Sequence, residues 1–298
     1  MMVTAEERAA PALTLGYVAI AAAVLIWAGW VVATRDAMLA RHTPLDVAIF
    51  RYCTPALLLS PFLWRKGLFP RGESPLLMLI MTIGWGGPFV MLISQGLQTV
   101  EASLFGPLVP GLLPMVVALW GVTIEGEKLT SGRKIGLALI ALALLLIIGP
   151  AALTNDSGIL RGAPWLLAGC AGWSAFTIAF RRSKLTGAEA AAYVSLYSSP
   201  FLIVAAAMLG TDIFNYTPGD IGFQILVQGV LSGAISVAAF GYAVKALGVA
   251  RSSAFTSLVP VGAAVGGWLI LGEAVGVAGW GAVGATCVGV FLVNRYAA

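Results

Sequence analysis

The sequence predicts an all-α integral membrane protein of ten transmembrane helices, built as two inverted five-helix repeats with both termini cytoplasmic. Three observations carry this expectation. Ten apolar stretches run through the 298 residues, each near the roughly 20 residues a bilayer crossing needs. Lys and Arg gather on alternate connectors, as the positive-inside rule requires. Short patterns recur in the same order in the two halves, which are expected to divide as 1–150 and 151–298. Five crossings per half turn the second half upside down relative to the first, a common plan for alternating gates around one midplane site.

The first crossing, 15–35, follows a segment bearing Glu6, Glu7 and Arg8. That segment lacks the basic start and cleavage pattern of a removable signal, so the run is expected to stay as a helix. The second, 45–64, starts at Thr43-Pro44 and stops at Arg65-Lys66-Gly67. Pro70-Arg71-Gly72 separates it from the third, 75–97. The fourth, 102–121, stops at Glu125-Gly126-Glu127-Lys128, and the fifth covers 133–150. Asn155-Asp156-Ser157-Gly158 is a turn before the sixth, 161–181, and the seventh covers 187–209. Thr217-Pro218-Gly219-Asp220 opens the eighth, 219–244, and 251–271 and 276–295 complete the set. With the N-terminus inside, thirteen of the 17 Lys and Arg fall on cytoplasmic segments. Three, Arg35, Arg41 and Arg161, fall outside, and Arg51 lies within the second crossing.

Hydrophobic residues make up 59% of the chain and charged residues 10%, with a mean hydropathy of +0.95. Soluble domains carry about 25% charged residues. The connectors are too short for a soluble catalytic, nucleotide-binding or sensor domain. Cys53, Cys170 and Cys287 sit in apolar runs without CxxC spacing and read as packing residues. The lone His42 adjoins Arg41 in an outer loop, where a solvated imidazole is expected. No metal, cofactor or nucleic-acid partner is expected; the partners are a small-molecule substrate and the bilayer.

The halves echo each other at four places. Leu25-Ile26-Trp27-Ala28-Gly29-Trp30 aligns with Ala171-Gly172-Trp173-Ser174-Ala175-Phe176, and Thr43-Pro44-Leu45-Asp46 with Thr186-Gly187-Ala188-Glu189. Ser103-Leu104-Phe105 with Leu108-Val109-Pro110 matches Ser253-Ala254-Phe255 with Leu258-Val259-Pro260. Gly126-Glu127 matches Gly272-Glu273.

Trp27-Ala28-Gly29-Trp30 with Arg35, Phe50-Arg51-Tyr52 and Leu271-Gly272-Glu273, in this order and topology, resemble the drug/metabolite transporter (DMT) superfamily in its ten-helix form with two EamA repeats. Length and aromatic content are most similar to the YddG-type exporters of aromatic and other amino acids. The resemblance implies eight helices around a central cavity with the fifth and tenth outside. It also implies export of small metabolites by alternating access, and so a multi-pass protein of a bacterial cytoplasmic (inner) membrane and no enzyme.

A transport site pairs an apolar, aromatic lining with a few polar groups. The candidates are Trp27 and Trp30; Trp85, Ser94, Gln95 and Gln98; Trp173 and Thr177; Tyr193 and Tyr197; and Gln228, Ser232 and Ser236. The last three are four residues apart and so share one helix face. Interface belts and helix packing use the same residue types, so each aromatic also has a purely structural reading. Pro88, Pro110 and Pro260 lie inside predicted helices and are expected to act as hinges, Pro110 and Pro260 at matching places in the halves; Pro114 and Pro200 should also kink their helices.

Arg51 lies about 10 Å deep at 1.5 Å per residue. It either binds a substrate carboxylate or snorkels outward and pairs with Asp46. The second, structural role is preferred, because the resemblance places an Arg here across varied substrates. No acid occupies the first crossing, and the 13 acids sit in loops or at helix ends. Obligatory proton coupling is therefore not expected. The glycine spacings at Gly132/Gly136, Gly262/Gly266 and Gly276–Gly289 read as close helix packing, and a monomer is expected in preference to a dimer.

An exporter of neutral or aromatic amino acids is the leading reading. A nucleotide-sugar or triose-phosphate type of carrier needs more intramembrane cations than Arg51 alone. An intramembrane enzyme would need paired acids or a His cluster near the interface.

Overall fold

A computed structural model describes residues 5–296, without the side chains of residues 5–12, 62, 65, 249, 250 and 253. The charges at Glu6, Glu7, Arg8 and Arg65 and the Ser253 match lie outside the described side chains.

Every stretch expected to cross is helical. The helices are α1 (Ala5–Leu39), α2 (Pro44–Leu58), α3 (Ser60–Lys66), α4 (Pro75–Trp85), α5 (Gly87–Gly96), α6 (Ala102–Leu108), α7 (Leu113–Ile124) and α8 (Ser131–Thr154). They continue as α9 (Ser157–Arg182), α10 (Gly187–Leu209), α11 (Pro218–Gln224), α12 (Ser236–Leu247), α13 (Val249–Thr256), α14 (Val259–Leu271) and α15 (Val277–Arg295). A π-helical stretch, Ile225–Ile235, joins α11 to α12 in one crossing. Among the described residues nine helical spans are long and apolar enough to cross a membrane. The tenth is α2 with α3: Leu59 divides it and Asp46 and Arg51 dilute its hydropathy.

The breaks have local causes. α4 ends at Gly86, whose ψ of −150° leaves the helical region, and Pro88 then starts α5. The freed Gly87 amide donates to Ser198 Oγ at 3.0 Å, which answers the need for every backbone donor in lipid to find a partner. α6 stops at Val109, before Pro110, and α7 restarts with Pro114 in its first turn. Pro260 likewise sits in the first turn of α14. Pro200 behaves otherwise: it lies exposed within the unbroken α10 and interrupts no span.

The packing exchanges under the repeat. α1 lies on α12 and α14, and its counterpart α9 lies on α4, α5 and α7. Three crossings meet their own counterparts: the second and seventh through α2 and α10, the fourth and ninth through α6 and α14, and the fifth and tenth through α8 and α15. The last pair shows the sense of the relation. Gly132 faces Tyr296 and Gly136 faces Gly289 and Val293, whereas further along α8 Leu146 reaches Gly281. The two run antiparallel, as inverted copies must. A Cβ on Gly136 would stand 2.7 Å from the Gly289 carbonyl oxygen, and one on Gly289 would stand 2.8 Å from that of Gly136. Bare backbone is thus what lets these helices touch.

The two aligned turn motifs fold alike. Thr43 and Thr186 both cap the helix that follows, accepting the amides of Asp46 and Glu189. Gly126 and Gly272 both take positive φ, 71° and 69°. The next amide in each case turns back, Glu127 to the Gly121 carbonyl at 2.9 Å and Glu273 to the Gly267 carbonyl at 3.2 Å. In both, the amide returns to a carbonyl six positions earlier, a helix C-cap that needs the left-handed conformation glycine adopts freely. Each cap folds its glutamate back over the glycine six residues earlier.

Candidate functional site

The sequence candidates fall into four groups. The first is assembled across the crossing shared by α1 and the π-helical stretch. Trp30 Nε1 donates to Gln228 Oε1 at 2.6 Å, and Gln228 Nε2 donates to Thr34 Oγ1 at 3.2 Å. A turn away, Trp27 Nε1 donates to Ser236 Oγ at 3.1 Å, and Ser236 Oγ donates to the Ser232 carbonyl. Gln228, Ser232 and Ser236 are fully buried, on the one face their spacing predicted. Ser232 Oγ has no partner. Phe240 packs on Trp27 with ring centroids 5.3 Å apart, and Phe105 meets Trp30 edge-on at 5.8 Å.

The second group is the repeat-related counterpart, assembled between α9 of the second half and α4 and α5 of the first. Trp85 stacks on Phe176 at 4.8 Å, and Trp173 meets Phe89 at 5.7 Å. Thr177 donates to its own backbone, the Trp173 carbonyl. Ser94 is buried with no partner for its hydroxyl. Gln95 and Gln98 form the third group and only bond each other at the surface end of α5. Tyr193 and Tyr197 form the fourth. Their hydroxyls donate to the carbonyls of Gly67 and Leu68 at 3.0 and 2.7 Å, so they tie down the connector after α3.

Two cavities flank these groups. One, of about 380 Å³, is lined by Arg35, Thr99, Glu101, Ser103, Asp156 and residues of α8 and α15. The other, of about 520 Å³, lies between α4, Pro88 and α10, and Tyr197 lines it. Neither is lined by Trp27, Trp30, Gln228, Ser232 or Ser236.

The expected pairing of Arg51 with Asp46 does not form. Asp46 is fully buried and accepts from the Thr211 hydroxyl, from the Asp212 amide at 3.3 Å and from Tyr216 Oη at 2.6 Å. The α10–α11 connector therefore takes up this carboxylate. Arg51 stays buried, with Nη1 3.3 Å from the Gln228 carbonyl oxygen, Nε unpartnered, and its guanidinium 5.7 Å from the Trp30 ring centroid. His42 is also not solvated. It is buried in a stack with Tyr216, centroids 4.0 Å apart. Burial and the hydrogen bond to the Asp46 carboxylate push the Tyr216 phenol well above its usual range.

Ion pairs stand at the two ends of the helices. Arg35 Nε pairs with Glu273 Oε1 at 2.8 Å, while Glu273 Oε2 accepts the Ala102 amide at 2.8 Å. Arg35 Nη1 also donates to the Leu97 carbonyl at 2.6 Å. One network thus joins α1, α5, α6 and the α14–α15 connector. At the opposite end the counterpart role is divided. Glu127 pairs with Arg133 at 3.0 Å, and Glu125 pairs with Arg182, at the end of α9, at 2.8 Å. That last interaction holds the Glu125 carboxyl below the usual carboxylate range, with a further bond from Trp120. The two motif residues Arg35 and Glu273, 238 positions apart, form one ion pair.

Comparison with known proteins supplies the family. A model of the EamA-like transporter family matches twice, over residues 14–149 and 160–295. The chain belongs to the EamA-like transporter family. A curated relative, the WAT1-related protein At3g02690, chloroplastic, from Arabidopsis thaliana, is 26% identical over 270 residues, 84% of this chain. The chain spans 63% of that relative's length. A crystal structure of another protein, 17% identical, superposes with a TM-score of 0.60 and covers 97% of this chain and 99% of that one; this likeness shows the fold alone. The two EamA matches and the nine apolar spans make the chain a multi-pass membrane protein.

Proposed function

We propose that this EamA-family chain carries small amphipathic metabolites, neutral and aromatic amino acids first among them, outward across a cytoplasmic membrane by alternating access. The observation that carries the reading is a pair of ties in corresponding regions of the two halves, each joining the end of α1 or α9 to a connector of the other half: Arg35–Glu273 and, displaced from the aligned positions, Arg182–Glu125. A carrier must close one end while it opens the other, and inverted copies supply equivalent gates at the two ends. The ties differ in this structure: side-chain exposure is 11% and 7% for Arg35 and Glu273 against 52% and 37% for Arg182 and Glu125. The Glu273 tie is the more deeply buried of the two. The Lys and Arg asymmetry supports placing that end outside and both termini in the cytoplasm. The helix breaks beside Pro88, Pro110 and Pro260 are where the gates would bend. Trp27, Trp30, Gln228 and Ser236 offer indole faces and neutral polar groups, which suit a zwitterion with an apolar side chain. Flux into proteoliposomes of the full chain tests the reading, using radiolabelled phenylalanine, leucine, a triose phosphate and a nucleotide sugar. Saturable movement of the amino acids is expected. Movement of the phosphorylated compounds alone would overturn it.

A further inference from the structure

We propose that Arg51 is the anion-binding group of the transport site and that the cargo is recognised by a carboxylate. The proposal deepens the function just given and depends on it only for flux, not for binding.

Arg51 is 8% exposed and lies inside α2. Among the described residues no carboxylate pairs with it. Asp46, five positions earlier, has its oxygens taken up by Thr211, Asp212 and Tyr216. The other acids of the chain stand in connectors or at helix ends. A buried cation without a counter-ion is strongly disfavoured, and one in a membrane interior marks a functional position. The protein supplies Arg51 with a carbonyl at 3.3 Å and two ring faces, Trp30 at 5.7 Å and Tyr52 at 5.8 Å, and it leaves Nε unpartnered.

The opposing wall points the same way. Gly229 and Gly233 admit α2 closely: a Cβ on Gly233 would stand 2.9 Å from Pro55 Cγ and 3.2 Å from Arg51 Nη1. The helix is π-helical here, a form concentrated at functional sites. Ser232, on this stretch, is fully buried with an unpartnered hydroxyl. A carboxylate accepts two parallel N–H bonds from a guanidinium and has lone pairs left for an O–H. One carboxylate neutralises one arginine, whereas a phosphate dianion would need a second cation that these helices do not offer.

The test uses full-length protein in detergent, with binding read by tryptophan fluorescence and by calorimetry. The probes are L-phenylalanine, phenylacetate, lactate and glutamate, with phenethylamine as the analogue lacking a carboxylate. Phenylalanine and phenylacetate are expected to bind wild type at least about tenfold more tightly than phenethylamine. Arg51→Gln should weaken both by about 10- to 100-fold, the range for losing a charge-assisted hydrogen bond, and leave phenethylamine unchanged. Ser232→Ala should give a smaller loss of the same sign, and it keeps the test decisive if Arg51→Gln does not fold. Equal binding of phenethylamine and phenylalanine by wild type overturns the proposal. So does carboxylate binding unchanged in the variants, or no binding of any of the four carboxylates. Carboxylate binding without flux would sink the transport reading and keep this one. Phenylalanine flux at the wild-type rate in Arg51→Gln would do the reverse.

Discussion

Glu273→Gln tests how much the buried end tie stabilises the fold. Glutamate places one oxygen on Arg35 Nε and the other on the Ala102 amide, both at 2.8 Å. A glutamine keeps one acceptor and turns an NH2 group toward the other donor. Arg35 keeps its bond to the Leu97 carbonyl but loses its counter-ion at 11% side-chain exposure. Removing one partner of a buried pair costs about 3–5 kcal/mol. The retained acceptor places this variant near the lower end, about 3 kcal/mol, which is roughly a hundredfold in an equilibrium constant. Glu125→Gln breaks the counterpart pair where the solvent reaches both side chains, so its effect should be much smaller. The assay is denaturant unfolding in mixed micelles, followed by tryptophan fluorescence, with Arg35→Gln and the double variant completing a cycle. The double variant should lose less than the sum of the singles, because neither partner is then left charged and alone. Equal losses for Glu273→Gln and Glu125→Gln, or additive losses in the cycle, would refute the reasoning.

Glu101 borders the same network, and burial first, then the negative charge of Glu273, raises its carboxyl above the usual range. A folded-state pKa above the unfolded one means that stability is full below the ordinary carboxylate range and falls as pH rises through the folded value. Glu101→Gln should remove that fall, so thermal midpoints measured between about pH 4 and 8 should flatten at the upper end, whereas an unchanged slope would exclude Glu101 as its source. Gly84→Ala sets a Cβ against the Gly172 carbonyl oxygen of α9; the displacement should cost about 1–3 kcal/mol and lower the yield of folded protein. Gly29→Ala, with nothing within 4 Å of its Cβ, should leave the yield unchanged, and equal yields of the two would show that the α4–α9 contact does not limit packing.

The crossings were legible in the sequence because hydropathy is a local property and each helix satisfies its own backbone. The repeat was legible because both copies use the same caps: Gly126 and Gly272 stand where only a left-handed residue fits. Side-chain partners were less so, and the errors share a cause. Asp46 is the nearest acid to Arg51 along the chain, yet Thr211 and Tyr216, 165 and 170 positions away, reach it first. The hydroxyls of Tyr193 and Tyr197 likewise take carbonyls 126 and 129 positions away, in a turn that Gly67 makes with φ of 94°, while Tyr197 also lines a cavity. In an interior where every donor must be answered, neighbours in space decide, and sequence proximity carries little information. Arg35 and Glu273 could have been joined beforehand by one further step. If the halves are inverted copies, the end of α1 and the α14–α15 connector meet at one face, as the end of α9 and the α7–α8 connector meet at the other. An Arg and a Glu at those places are then each other's nearest opposite charge. The same reasoning separates Arg51 from the end ties, since the inversion places no acid opposite the middle of α2, and among the described residues no carboxylate pairs with it.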